Sequence, residues 1–171
     1  MALRLAKTAR TLRRERGWTL DDVAERSGLD PRHVQLVESG TANPTLATLV
    51  RLAVGLGIPL EQMVGEPSAR PRVADEAPRQ LAGAPGQGAA ACAHQVKVAR
   101  LARGWSQSEL ARKVGLSLSA VQGLELGRTS PTVRTLDAIA DTLGVQTWTL
   151  LVPASGPVTT SRTRVSRRVV E

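Results

Sequence analysis

The sequence predicts an all-α fold: two five-helix units joined by a flexible linker. One reason is an internal repeat. Gly17-Trp18 recurs as Gly104-Trp105, and at that offset of 87 residues, without a gap, Arg13, Ala24, Gly28, Leu29, Val34, Gln35, Glu38, Gly40, Pro44, Thr45 and Leu49 all meet identical residues. A second is that apolar residues in each copy recur three and four apart, in short runs closed by glycine. The third is composition. Hydrophobic residues make up 42%, but aromatics only 2%, with three Trp and neither Phe nor Tyr. Cores must therefore be built from Leu, Val and Ala, which suits small helical units.

The first helix is expected over residues 3–16, with Leu5, Ala9 and Leu12 on one face and Gly17 as its stop. Trp18 and its counterpart Trp105 are expected to plug the cores behind their glycines. Residues 19–27 form the second helix, where Asp21, Asp22, Glu25 and Arg26 lie opposite Leu20, Val23 and Ala24. Gly28 closes it, because a residue without Cβ takes positive φ readily. Asp30 then caps a third helix that has Pro31 at its first position, where a missing N–H is harmless. Val34 and Val37 give this helix an inward side, leaving Arg32, His33, Gln35 and Ser39 outward. Polar donors on the outer side of a helix held across another suit the reading of base edges in a major groove.

Asn43, Pro44 and Thr45 offer caps for a fourth helix whose Leu46, Leu49, Leu52, Ala53 and Leu56 face inward before Gly57. A short fifth helix over residues 59–64 completes the unit. The expected divisions are a first domain at 1–66, a Pro/Gly/Ala-rich linker at 67–92, a second domain at 93–153 and a basic tail at 154–171. A linker of this kind spans about 28 Å r.m.s., close to the distance of about 34–36 Å between successive major-groove faces. The tail carries Arg162, Arg164, Arg167 and Arg168 and reads as mobile, a β-strand being the alternative for its Val/Arg alternation.

The formal charge is +8 and the isoelectric point about 11.3, the footprint of a protein that meets a polyanion. No apolar run of bilayer length occurs, so no membrane partner is expected. The single cysteine, Cys92, permits no internal disulfide and fits a reducing cytoplasm. With His94 alone beside it, Cys92 falls short of a four-ligand metal set and reads as a linker thiol. No catalytic triad, carboxylate pair or phosphate loop is apparent, so neither an enzyme nor a cofactor or metal is expected. The charge is uneven: nine basic and eight acidic residues leave 1–66 at +1, whereas 93–153 stands at +3 and the tail at +3.

Each copy resembles the Cro/C1-type helix-turn-helix domains of phage repressors and bacterial regulators, the XRE family. The match lies in Arg-x-x-x-Gly-Trp, then a polar helix start with Val-Ala or Leu-Ala, then Gly-Leu, and Glu-x-Gly ahead of x-x-x-Pro-Thr. The resemblance implies a lambda-repressor-like fold and a cytoplasmic, nucleoid-associated repressor-like regulator whose partner is double-stranded DNA. It also implies structural ion pairs, Arg13 with Glu38 and Arg100 with Glu125. The family's DNA-contacting positions map in copy one to Thr19, Asp30, Arg32, His33, Gln35, Thr41 and Asn43. In copy two they map to Ser106, Gln107, Ser117, Ser119, Gln122 and Arg128. Dimers are common in the family, so a homodimer is one expectation; no small-molecule effector is specified.

The copies diverge at the third helix. Opposite Pro31, Arg32, His33, Leu36 and Ser39 stand Leu118, Ser119, Ala120, Gly123 and Leu126, and Trp148 stands opposite Glu61. Leu118, Leu126 and Trp148 therefore define an alternative reading, a partner patch that makes copy two a dimerisation or protein-interaction module, as in an antitoxin. Trp148 folded back into the second core is the other reading of that residue.

Overall fold

The computed structural model describes residues 2–64 and 87–151, and every regular element among them is helical. The first unit runs α1 (Ala2–Glu15), α2 (Leu20–Ser27), α3 (Pro31–Glu38), α4 (Leu46–Gly55) and α5 (Leu60–Val64). The second runs α6 (Gln87–Ala102), α7 (Gln107–Val114), α8 (Leu118–Glu125) and α9 (Val133–Leu143), then a single 3-10 turn, Thr147–Leu150. That turn stands where a fifth α-helix was expected.

Local chemistry sets these boundaries. The Thr19 side chain accepts from the backbone N–H of Asp22, whose carboxylate reaches back to the Thr19 N–H; Ser106 and Glu109 repeat this reciprocal cap at α7. Asp30 caps α3 and Ser117 caps α8. Gly28 and Gly115 end α2 and α7 in the left-handed region, at φ 62° and 77°.

Leu5, Ala9 and Leu12 from α1 meet Val23, Val34, Val37, Leu49 and Leu52, all essentially inaccessible. Val96, Leu110, Val121, Leu124, Leu136, Ile139 and Leu143 build the second core in the same way. Each fully buried Leu contributes about 1.5–3 kcal/mol, so small aliphatic cores suffice for units of this size.

Several expectations change in detail. α6 begins at Gln87, so residues 87–92, expected as the end of the linker, are helical. Cys92 is buried at 1% exposure and is a core residue of copy two, not a linker thiol. Trp18 and Trp105 are only half-buried. Their rings are roofed by cations, Arg26 at 4.1 Å from the Trp18 centroid and Lys113 at 4.7 Å from that of Trp105. Trp148 packs against the second core, so the patch expected of Leu118, Leu126 and Trp148 keeps only its two leucines at the surface. The remainder of the expected linker and the basic tail lie outside the described residues.

The copies touch at the starts of α4 and α9. Thr45 and Thr132 form an isolated antiparallel bridge. The Leu46 N–H donates to the Pro131 carbonyl at 2.8 Å, and the Val133 N–H to the Pro44 carbonyl at 2.9 Å. Side chains repeat the exchange: Ala47 N–H donates to Ser130 Oγ at 2.8 Å, and Arg134 N–H to Asn43 Oδ1 at 3.1 Å. The first amides of a helix have no partner within it. Here each copy supplies two of them to the other, and Thr45 and Thr132 cap the next from within. The start of α6 closes the contact: a Cβ at Gly88 would stand 2.9 Å from Val50 Cγ2 on α4.

Candidate nucleic-acid interface

The interface is built from a buried ion pair outward. Arg13 lies on α1 and Glu38 at the end of α3, and they meet as a two-pronged fork, Nε to Oε1 at 2.7 Å and Nη2 to Oε2 at 2.9 Å. The remaining prong donates to the Trp18 carbonyl at 2.9 Å, tying the approach of α2 to the same guanidinium. Arg100 repeats all three contacts, at 2.6 and 2.9 Å to Glu125 and to the Trp105 carbonyl. Such bidentate, charge-assisted bonds are directional. They fix α3 and α8 against the rest of each unit. The hydrogen bond to its carboxylate raises the pKa of each arginine against the opposing effect of burial.

On the far side of α3, Arg32, His33 and Gln35 are exposed, with Leu36 beside them at 44%. The helix start is firm because Asp30 Oδ1 accepts from the N–H groups of Arg32 at 2.8 Å and His33 at 3.3 Å. Asp30 is thus placed as the cap beneath the exposed side chains. Thr41, in the following loop, is exposed and joined to Ser39 through their hydroxyls at 2.7 Å. On α8 the exposed polar groups are Ser119 and Gln122, between Leu118 at 44% and Leu126 at 62% exposure. Ser117 Oγ caps α8 through the Ala120 N–H. Arg128 is exposed beside the cleft between the copies.

Other candidates are engaged elsewhere. Thr19 and Ser106 spend their hydroxyls in the reciprocal caps, and those bonds lower the pKa of Asp22 and Glu109. Gln107 Nε2 donates to Glu125 Oε2 at 2.8 Å, so its amide belongs to the ion-pair network; the counterpart in copy one is the apolar Leu20. Asn43 points its amide oxygen at α9 of the other copy. The reciprocal contact between copies was not anticipated. Its trace in the sequence is the pair Pro44-Thr45 and Pro131-Thr132, each proline four residues beyond a helix-ending glycine, Gly40 or Gly127, and preceded by a short polar residue.

Comparison with known proteins gives the family of both copies. The profile of the helix-turn-helix family HTH_3 matches residues 10–63 and again 96–147. The HTH-type transcriptional regulator SutR of Escherichia coli is 38% identical over 79 residues, 46% of this chain and 43% of SutR. An uncharacterized HTH-type transcriptional regulator, y4dJ of Sinorhizobium fredii, is 42% identical over 53 residues, 31% of this chain and 69% of that protein. A crystal structure of the hypothetical transcription factor NHTF from Neisseria is 34% identical, covering 40% of this chain and 78% of that one with a TM-score of 0.39. The match to SutR thus spans less than half of that relative's length.

Proposed function

Because this chain belongs to the Cro/C1-type helix-turn-helix family, we propose that it is a transcriptional regulator that binds double-stranded DNA sequence-specifically and acts as a repressor by occluding promoters. Arg32 reads guanine through O6 and N7, while Gln35 and Gln122 read adenine through N6 and N7. Backbone amides at the starts of α2 and α7 and Arg128 meet phosphates, which orient the protein without reading sequence. The net charge of +8 draws the duplex in and accounts for the salt-dependent part of the affinity. The protein is not an enzyme and works in the cytoplasm on the nucleoid.

The observation that carries this reading is the pairing of a firm base with a bare face. Arg13 and Glu38 hold α3 from within while Arg32, His33 and Gln35 stand exposed on its outer side. The test is selection of duplexes from a random pool by the full chain, followed by titration at several salt concentrations. A preferred sequence bound at least about a thousandfold more tightly than random duplex supports the proposal. Equal affinity for all duplexes overturns it.

A second reading is favoured by Leu118 and Leu126, which leave an apolar strip where α3 offers charge. In it copy two is an interaction module and copy one alone touches DNA. Leu126→Glu would then abolish a concentration-dependent association of free protein while leaving DNA affinity intact.

A further inference from the structure

We infer that the two copies form a two-fold pair within one chain, and that a single chain binds an inverted repeat of two unlike half-sites one helical turn apart. The half under α3 contains guanine and the half under α8 is A·T-rich. This rests on the DNA-binding reading above and extends it to the class of target.

The symmetry follows from the contacts. Thr45 and Thr132 are equivalent residues, 87 apart, and they bridge each other antiparallel. The hydrogen bonds beside the bridge are reciprocal at the same offset: Leu46 to Pro131 answers Val133 to Pro44, and Ala47 to Ser130 answers Arg134 to Asn43; the packing of the start of α6 on α4 stands outside this exchange. Reciprocal exchange of this kind defines an isologous, two-fold interface; a head-to-tail array of repeats would show one member of each pair without the other.

The spacing follows from chain length. Five residue steps lead from Glu38, the end of α3, to Asn43 at the contact, and five lead from Glu125 to Ser130. Each path is at most about 18 Å long. The recognition helices therefore end close to the axis on either side of it. That accommodates half-sites one turn, about 34–36 Å, apart and is too short for two turns. A two-fold axis also carries one helix onto the other, so a duplex whose own dyad lies on this axis and meets α3 also meets α8.

The halves must differ because the faces do. α3 offers Arg32, His33 and Gln35, a guanine reader beside an adenine reader. At the same positions α8 offers Ser119, Ala120 and Gln122, flanked by exposed Leu118 and Leu126 that suit the methyl group of thymine.

Footprinting and complex mass on a duplex selected by the full chain test the inference. The expected result is one chain per duplex protecting two inverted, non-identical half-sites. Arg32→Ala should lower affinity about tenfold or more through the guanine half only, and Gln122→Ala should relax only the other half. Inserting about 5 bp, half a turn, between the halves should lower affinity about a hundredfold. A lone half-site, a direct repeat, or a palindrome holding two chains overturns the inference and leaves the DNA-binding reading standing. Absence of any preferred duplex overturns that reading itself.

Discussion

Thr45 and Thr132, 87 residues apart in sequence, face each other in an antiparallel bridge at the point where α4 and α9 begin. Both hydroxyls also cap their own helices, through the N–H groups of Thr48 and Thr135. One short segment thus does two things in each copy: it starts the longest core helix after α1 or α6, and it joins the copies. A short loop joins the segment to α3 in one copy and to α8 in the other, so the join lies close to the exposed faces of those helices.

Replacing Arg32 by Ala removes an exposed side chain and leaves the Arg32 backbone N–H capped by Asp30. Stability should change by less than about 0.5 kcal/mol. Binding to the preferred site should weaken by about 1–3 kcal/mol, with little change on random duplex. Fluorescence anisotropy with both duplexes separates the two; equal losses on each would assign Arg32 to phosphate instead of base.

Glu125→Gln should behave very differently. The side chains of Arg100 and Glu125 are 7% and 2% exposed, so the substitution leaves a poorly hydrated guanidinium without its counterion. A loss of about 3–5 kcal/mol in chemical denaturation is expected, and replacing both partners, Arg100→Met with Glu125→Leu, should restore much of it. Burial by itself would raise the Glu125 carboxyl, but hydrogen bonds from Arg100 and Gln107 outweigh it and hold the group below its ordinary value of 4.5. A carboxylate depressed on folding stabilises above its unfolded pKa and loses that contribution as pH falls through the folded one. Stability should therefore decline below about pH 4.5, and Glu125→Gln should flatten that decline.

Gly55 sets two effects against each other. In a helix interior Ala is favoured over Gly by about 1 kcal/mol. A Cβ at Gly55, however, would lie 2.7 Å from Ser27 Cβ and 2.9 Å from the Ser27 backbone nitrogen, where α2 crosses α4. Overpacking against backbone dominates, and Gly55→Ala should destabilise by about 1–2 kcal/mol net. Gly115→Ala is the contrasting case, with φ 77° and open space around it. Its cost of about 1–2 kcal/mol comes from the left-handed backbone alone. Thermal denaturation of both variants, with a crystal structure of Gly55→Ala showing displaced α2, checks the distinction.

Cys92 should be inert in the folded protein. Burial pushes its thiol up to about 12, so almost no thiolate exists at neutral pH, and the sulfur is covered. A thiol-reactive dye at pH 8 should label it at the rate of unfolding. Rapid labelling of folded protein would show that the start of α6 detaches from the core.

The sequence was legible where one residue carries one role. Gly28 and Gly115 mark helix ends, Asp30-Pro31 marks a helix start, and the valines of α3 mark its inward side; the structure agrees at each. It was less legible where a polar residue has several partners within reach. Gln107 reads as a surface amide until Glu125 is seen 2.8 Å away, and Asn43 reads as a local cap until α9 arrives beside it. It misled at Cys92, because the end of a Pro-, Gly- and Ala-rich stretch reads as linker by composition, whereas Ala89-Ala90-Ala91 favours helix by itself and α6 starts there against α4.

The bridge at Thr45 and Thr132 also bears on how the protein responds to its own abundance. Regulators that assemble from separate subunits fall apart on dilution, so their occupancy rises with the square of subunit level near threshold. A tethered partner is never lost to dilution. On the single-chain binding inferred above, occupancy well below saturation climbs in simple proportion to the number of chains in the cell, giving a graded response in place of a switch.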